Sequence, residues 1–330
     1  MGFFSGIFGA NYTKEGPGVS KDEPQKPPFI RFFQLYFRKF WKLIQLNLIF
    51  LVPALVVAAM MVFLYLGSFP VNLTVGENTI SVDLWKWYVM PLPLILLSPF
   101  VPGLAYVTRN YVREEHAFVF SDFKDAVKGN WKFFLLNGVI TYLCYFILSI
   151  ALRFYSAMLS TNKVMIIPFA ISILFALLFL FAQFYIPVMA ITFELKFREI
   201  YKNGFIFAVL GLWRNFLLLI VFAAFAFYAV FISPYMLLLV ILLVLFFLLL
   251  GFSTAMYTVN FVVYPLIEKY LLKPYLEKDQ PEKDTDAASE EENSLERNAL
   301  EPKQSEFVYV NGKLIRREEA EGTQVFDDRQ

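Results

Sequence analysis

The chain has little of what soluble domains and enzymes depend on, namely charge, cysteine and histidine. Of its 330 residues, 17% are charged, 58% are hydrophobic and 19% are aromatic. Soluble domains average about 25% charged and about 45–50% apolar residues. The single cysteine, Cys144, excludes an intramolecular disulfide, and the single histidine, His116, has no partner for a zinc site. This composition excludes an ordinary soluble domain and predicts a protein embedded in a membrane.

Sequence signatures of catalysis are missing as well. The chain contains no P-loop, HExxH, GxSxG, CxxC or GxGxxG motif. No acidic or basic residue lies inside its long apolar runs, which argues against a carboxylate proton relay. We therefore predict that the protein is not an enzyme, that it holds no cofactor or metal, and that it binds no nucleic acid.

Charge-free runs divide the chain at 43–76, 87–108, 133–152, 164–193 and 215–267. A charge at the bilayer centre costs about 2.5 kcal/mol or more, and a helix needs roughly 20 residues to cross. The first four runs therefore hold one span each, and the last holds two, separated at Ser233-Pro234. We predict an all-α polytopic membrane helix bundle over residues 29–275. Its six transmembrane helices are expected at about 43–66, 87–108, 133–152, 164–193, 215–232 and 235–263.

Basic residues alternate along the connections between these spans. Five lie close before the first span, one in 67–86, five in 109–132, two in 153–163, four in 194–214 and none between the last two spans. Cytoplasmic loops carry an excess of Lys and Arg. The alternation therefore predicts a cell-membrane protein with both termini in the cytoplasm.

The two ends of the chain differ from this membrane body. Residues 1–28 are rich in Gly, Pro and Lys, which is typical of a flexible segment. Glu277–Gln330 carries 16 acidic and 8 basic residues, whereas residues 1–276 carry 12 acidic and 21 basic. An acidic segment poor in apolar residues cannot bury enough surface to order itself. We therefore predict a disordered tail over 276–330.

Two short hairpins are predicted outside the spans. One surrounds Gly76-Glu77-Asn78 in the first external connection, where apolar residues alternate on both sides. The other lies at 306–317 around Asn311-Gly312, a sequence that favours a type I′ turn. An isolated hairpin is marginal in water. The second hairpin therefore docks on a surface, pairs with a partner strand or frays.

Aromatic and basic residues alternate before the first span, in the sequence FIRFFQLYFRKFWK from Phe29 to Lys42. A helix here is amphipathic and cationic, and two interpretations are open. It lies in the headgroup region as an interfacial helix, or it binds an anionic lipid specifically.

An internal repeat becomes visible once the spans are placed. Trp41, Trp131 and Trp213 each open an odd-numbered span, and Lys or Arg follows each of them. Trp and basic residues concentrate at membrane interfaces, which is an alternative explanation for this pattern. It does not explain a second match between the ends of spans 2 and 4. We therefore favour three two-helix units, each introduced by a cytoplasmic amphipathic segment. The second match pairs Pro102 with Pro187, Ala105 with Ala190, Arg113 with Arg198, and Glu114 with Glu199, at an offset of 85 residues.

Ser98–Lys132 joins two of the predicted spans and carries most of the candidate functional positions. Phe120, Phe123, Val127 and Trp131 recur at helical spacing, which predicts an apolar face that rests on the membrane or on the floor of the bundle. The polar face of this helix is then available to a cytoplasmic partner. The candidate positions in the whole chain are Asn47, Pro102, Gly103, Arg109, Arg113, Glu114, Phe123, Trp131, Arg198 and Glu199.

Amides are the main polar groups inside the spans. Such groups usually hydrogen-bond neighbouring helices, and we favour that role over contact with a substrate. Asn47 is the strongest exception because a repeat-opening span carries it. The amides are Gln45, Asn47, Asn137, Gln183 and Asn260.

The chain resembles the YesL family of bacterial membrane proteins in three short motifs and in its opening sequence. The motifs are Leu46-Asn47-Leu48, Pro102-Gly-Leu-Ala-Tyr-Val-Thr-Arg109, and Phe120-x-x-Phe123 through Asn130-Trp131. The resemblance covers roughly residues 1–270. The chain departs from it in a longer N-terminal linker and in its acidic tail, so the resemblance implies nothing about the tail.

The resemblance implies a multi-pass protein of undefined molecular function that is commonly encoded beside carbohydrate ABC transporters. We therefore expect an accessory or regulatory protein of carbohydrate uptake, with transporter subunits or another cytoplasmic protein bound through 109–132 and 194–214. The alternative is a transport subunit, or a small-solute transporter in its own right. The coupling-loop motif of an ABC permease is missing around Glu194–Glu199 and Glu114-Glu115, which argues against a permease.

Overall fold

The computed structural model describes residues 27–67, 71–75, 78–82, 84–232, 237–272, 307–310 and 313–316. It contains six helices that are long and apolar enough to cross a membrane. The predicted six-helix membrane bundle is therefore confirmed. The flexible segment predicted for 1–28 and the disordered tail predicted for 276–330 lie largely outside the described residues. Helix α1 (Pro28–Arg38) belongs to one compact unit and the rest of the described chain to a second.

Span 1 is α2 (Phe40–Leu66), and span 3 is α5 (Val119–Met158). Span 2 comprises a π turn (Trp85–Val89), α3 (Leu94–Leu97), a 3-10 turn (Ser98–Phe100) and α4 (Val101–Val112). Span 4 comprises a 3-10 turn (Lys163–Met165) and α6 (Ile166–Thr192), and α7 (Phe197–Leu210) follows it. Span 5 comprises α8 (Leu212–Phe227) and a π turn (Tyr228–Ile232). Span 6 comprises α9 (Leu237–Phe246), a π turn (Phe247–Gly251), α10 (Phe252–Ile267) and a last π turn (Glu268–Leu272).

Four of the five tryptophans lie near the starts of these spans. Trp41 and Trp213 are the second residues of α2 and α8, and Trp85 and Trp87 open span 2. Trp131 lies twelve residues after the start of α5, which has 40 residues. At 1.5 Å per residue α5 is about 60 Å long, twice the hydrocarbon thickness of about 30 Å. Because Trp prefers the membrane interface, the part of α5 before Trp131 projects out of the bilayer.

The packed core lies at one end of the bundle, where spans 2 and 4 finish and spans 3 and 5 begin. We call this the Arg109 end. Arg109, Tyr111, Tyr185, Ile191 and Tyr257 are all less than 2% exposed there. Toward the other end, no residue is buried in 138–158 or in 163–178, both of which are fully described. The distant halves of spans 3 and 4 therefore offer apolar surface that lipid can cover without loss, because lipid tails are as apolar as Leu.

The stretch Ser98–Lys132 joins spans 2 and 3 through a shorter connection than the predicted 109–132. Residues Ser98–Val112 are helical, and α4 is buried over nearly its whole length at the centre of the Arg109 end. Only the six residues from Arg113 to Phe118 connect the helices, and the amphipathic segment continues into span 3 as one helix. A charged residue at position 109 suggested a span end, but a charge can be buried when the protein supplies hydrogen bonds for it.

The predicted apolar face of α5 is only partly buried within the protein. Phe123 is buried as expected, but Phe120 and Trp131 are 68% and 44% exposed. The buried positions are Phe123, Ala126, Asn130, Phe134 and Asn137. This stripe includes two amides, which an apolar pattern does not register.

The three predicted repeat units share an order of elements. An amphipathic helical segment precedes each odd-numbered span: α1 before span 1, the start of α5 before span 3, and α7 before span 5. A break at Lys39 separates α1 from span 1, and a break at Gly211 separates α7 from span 5. The offset of 85 does not align equivalent positions, however. Arg113 caps the end of α4, whereas Arg198 lies in the first turn of α7.

Both predicted hairpins form antiparallel strand pairs. β1 (Val71–Val75) pairs with β2 (Asn78–Val82), and β3 (Phe307–Val310) pairs with β4 (Lys313–Arg316). Cα atoms of β4 come within 8 Å of α6. This proximity favours docking over fraying for the second hairpin.

We expect Gly103→Ala to destabilise the bundle, because a Cβ at Gly103 falls 2.3 Å from a ring carbon of Phe123. Overpacking of this kind typically costs about 1–3 kcal/mol. The control is Gly129→Ala, since a Cβ there meets nothing within 4 Å. Alanine in a helix is favoured over glycine by about 0.5–1 kcal/mol, so this variant should be at least as stable as the parent. Denaturation by SDS in mixed micelles measures both, and equal stability of the two variants would contradict the packing.

Candidate functional site

Arg109 joins span 2 to the C-terminus of span 4. Its Nη1 donates to the Ile191 carbonyl at 3.0 Å and to Thr192 Oγ1 at 3.2 Å, in the last turn of α6. Its Nε and Nη2 donate to Asn110 Oδ1 at 3.2 and 2.9 Å, and the guanidinium stacks 4.7 Å from the Tyr106 ring centroid. The last carbonyls of a helix have no partner within the helix, and its C-terminus attracts a cation. Arg109 therefore caps α6 from a neighbouring helix.

Asn260 of α10 joins span 6 to the same helix α4. Its Nδ2 donates to Thr108 Oγ1 at 2.8 Å and lies 3.3 Å from the Ala105 carbonyl. Thr108 in turn donates to the Leu104 carbonyl at 2.6 Å. Among the described residues, Asn260 Oδ1 and Tyr111 Oη are buried without a hydrogen-bond partner. Polar contacts thus link α4 to two other spans.

The turn after α4 contains a strained residue. Glu114 has a φ of 64°, the only positive value at a non-glycine residue in the described chain. The Glu115 amide donates to the Asn110 carbonyl at 2.8 Å and the Glu114 amide to that of Tyr111 at 3.2 Å. These two bonds form a Schellman motif, in which this position is usually glycine. A side chain kept in this conformation carries a strain of about 1 kcal/mol, which points to a role of Glu114 other than closing the turn.

Arg113 lies at the partly exposed edge of the buried cluster. It forms an ion pair of 2.6 Å with Glu115, and its guanidinium lies 5.7 Å from the Tyr264 ring centroid. Arg113 is one-fifth exposed and Glu115 nearly one-half. Exposed pairs of this kind are worth about 0–1 kcal/mol. Arg113 and Glu115 therefore add charge to the surface at the Arg109 end more than they add stability.

Asn47 is fully buried and binds the π turn that interrupts span 6. Its Nδ2 donates to the carbonyls of Phe247 and Leu248 at 3.0 and 2.9 Å. Its Oδ1 accepts from the amides of Phe252 and Ser253 at 2.9 and 3.1 Å. A π turn shifts the backbone hydrogen bonds of a helix from i→i+4 to i→i+5 partners and interrupts its regular pattern. One side chain thus pairs four backbone groups at this interruption.

A second set of amides lies between spans 3 and 4. Asn137 Nδ2 donates to Gln183 Oε1 at 3.2 Å, and Tyr201 Oη on α7 donates to Asn137 Oδ1 at 2.6 Å. Burial raises the pKa of Tyr201 to about 12, so its hydroxyl keeps the donated proton at physiological pH. Gln183 Nε2 and Thr141 Oγ1 are buried without a hydrogen-bond partner among the described residues. Asn47 takes part in none of these bonds.

Of the remaining predicted positions, some are packed inside the bundle and the others lie on its surface. Pro102 and Gly103 are buried in α4, and the Phe123 ring lies directly against Gly103. Arg198 and Glu199 are exposed in the first turn of α7, where Glu199 accepts a bond of 3.0 Å from the Lys196 amide. Trp131 is largely exposed, with Lys132 Nζ 5.7 Å from its ring centroid.

Sequence reasoning missed three polar residues of the Arg109 end. Thr108, Asn110 and Thr192 are at most 5% exposed and bind or support Arg109 and Asn260. Thr and Asn next to an arginine at a predicted span end carry no distinctive pattern. One general rule points to such residues: an arginine that is buried requires several hydrogen-bond acceptors around it.

Comparison with known proteins connects the chain to a family without an assigned function. A family model described as "Protein of unknown function, DUF624" matches residues 81–152. This region contains spans 2 and most of span 3, including Gly103, Arg109, Phe123 and Trp131. No curated protein and no solved structure matches the chain.

We expect Asn47→Leu to destabilise the protein by about 2–4 kcal/mol, because it removes four hydrogen bonds to the backbone and each such bond is worth about 0.6–1 kcal/mol in a membrane protein. Gln45→Leu is the matched control, since Gln45 is exposed two residues away on the same helix. SDS denaturation compares the two. Similar stability of both variants would show that Asn47 does not hold the π turn.

Proposed function

We propose that this integral membrane protein is an accessory or regulatory subunit of a carbohydrate-uptake system, which it binds through the surface at its Arg109 end. The observation that carries this proposal is the use of the buried amides. Asn47 is committed to the π turn of span 6, and Asn137 binds Gln183 and Tyr201 in a separate place. The buried amides thus form two separate sets, each of which binds neighbouring helices. This arrangement favours a scaffold protein over a transporter with one shared substrate cavity.

The surface at the Arg109 end has the properties of a docking site. Phe118, just before α5, and Phe120, in its first turn, are 69% and 68% exposed beside the exposed Lys124, Asp125 and Lys128. Exposed aromatic side chains next to charges are typical of protein interfaces. The strained Glu114 lies in the turn just before this segment, and Arg198, Glu199 and Lys202 of α7 add exposed charges.

The carbohydrate system and the orientation rest on the sequence. The resemblance to the YesL family implies proximity to carbohydrate ABC transporters, and the alternation of basic residues places the Arg109 end in the cytoplasm of the cell. The ATPase and permease subunits of such a transporter are then the partners expected at this surface.

A Lys124→Cys variant in a Cys144→Ser background tests partner and orientation together. A membrane-impermeant maleimide should label it in inverted vesicles but not in intact cells. A cysteine-directed crosslinker on the same residue should capture a transporter subunit, identified by mass spectrometry after mild detergent extraction. The control, Ile147→Cys, lies 62% exposed in the distant half of α5 and should capture none. Labelling from outside the cell, or no transporter subunit, would refute the proposal.

A transport function is the second candidate, and one observation favours it. Among the described residues, Gln183 Nε2 and Thr141 Oγ1 are buried without a hydrogen-bond partner, and an uncharged hydroxyl-bearing solute can supply a partner to each. Uptake of labelled sugars into proteoliposomes under an imposed ion gradient distinguishes the two functions. Accumulation that Gln183→Leu abolishes would establish transport, and no accumulation would leave the accessory function.

A further inference from the structure

Helix α1, which the sequence predicts to be amphipathic and cationic, carries an exposed apolar face. Phe29, Ile30, Phe33 and Phe37 are 74%, 53%, 41% and 61% exposed. Phe29, Phe33 and Phe37 recur every four residues and Ile30 lies three residues before Phe33, which places all four on one side of the helix. Phe33 lies between the other two phenylalanines, with ring centroids 5.0 Å from Phe29 and 6.3 Å from Phe37. These rings form a continuous apolar ridge.

A polar stripe of one charge sign runs beside this ridge. Arg31, Gln34 and Arg38 follow one another at spacings of three and four residues, and α1 contains no acidic residue. Leu35, on a third side, is the only buried residue of the helix. The helix thus combines a wide apolar face with a flanking cationic edge, which is the pattern of a helix lying in a membrane interface.

The chain itself brings α1 to the membrane. Only Lys39 separates Arg38 from Phe40, where span 1 begins, and Trp41 in the first turn of that span is 74% exposed. Trp in this position is typical of the headgroup level. A bilayer surface is therefore the apolar partner nearest to the ridge along the chain.

We propose that α1 lies in the bilayer interface and selects anionic lipids, with the phenylalanine ridge inserted and the arginines against lipid phosphates. Apolar burial holds the helix in any bilayer, whereas selectivity comes from Arg31 and Arg38. Basic residues at an anionic surface each favour binding about fivefold. The proposal is independent of the function proposed above, since it concerns lipid and not a protein partner.

The test places an environment-sensitive fluorophore at Ile30→Cys in the Cys144→Ser background of the full-length protein. The protein is reconstituted in nanodiscs of phosphatidylcholine and phosphatidylglycerol in equal amounts, with one or the other lipid brominated as a quencher. We expect blue-shifted emission, and quenching that is several-fold stronger with brominated phosphatidylglycerol.

Variants separate insertion from selectivity. Arg31→Gln with Arg38→Gln should retain the blue shift and equalise the two quenchers, whereas Arg31→Lys with Arg38→Lys should retain most of the preference. Phe33→Ser with Phe37→Ser should shift emission toward that of water. Lys202→Gln, which removes an exposed cation of α7, should change neither. Water-like emission in the parent protein, or equal quenching by both lipids, would overturn the proposal.

Discussion

The structure depends on one constraint, that polar groups at membrane depth must find their partners within the protein. Helices meet this requirement for the backbone except at their ends and interruptions. Arg109 supplies donors to the last turn of span 4, and Asn47 pairs the backbone at the π turn of span 6. Both side chains come from a different helix than the one they complete. The same groups that solve a local backbone problem therefore also hold neighbouring spans together.

This constraint explains why the core is concentrated at one end. Apolar surface gives little drive for helices to associate in lipid, so close packing and polar contacts decide where they meet. At the Arg109 end, Gly103 lets the Phe123 ring approach α4, and Asn260 adds a polar contact from span 6. No residue is buried in 138–158 or in 163–178. These segments need only have apolar side chains, because lipid can cover them. A rigid end with exposed charges suits a docking surface better than it suits a gated path through the bundle.

The sequence was sufficient for the number of spans and for the two hairpins, because charge-free runs and the Asn-Gly turn act locally. It grouped Phe123 with Phe120 and Trp131 on one apolar face, whereas the protein buries Phe123 together with the amides Asn130 and Asn137, which an apolar pattern ignores. It also treated Arg109 as the start of a loop. The burial of Arg109 depends on hydrogen-bond acceptors 82 and 83 residues away, at Ile191 and Thr192. No local sequence pattern contains that information. The π turn bound by Asn47 is likewise a property of two helices together.

The buried Arg109 caps a neighbouring helix and thereby holds spans 2 and 4 together. The most direct measurement is the unfolding free energy of Arg109→Gln beside that of Arg113→Gln, by SDS denaturation in mixed micelles. Hydrogen bonds to a charged group are worth about 1.5–3 kcal/mol, so Arg109→Gln should destabilise the protein by at least about 3 kcal/mol. Arg113→Gln, which removes a partly exposed ion pair, should cost about 1 kcal/mol or less. Equal and small effects of the two substitutions would contradict the account.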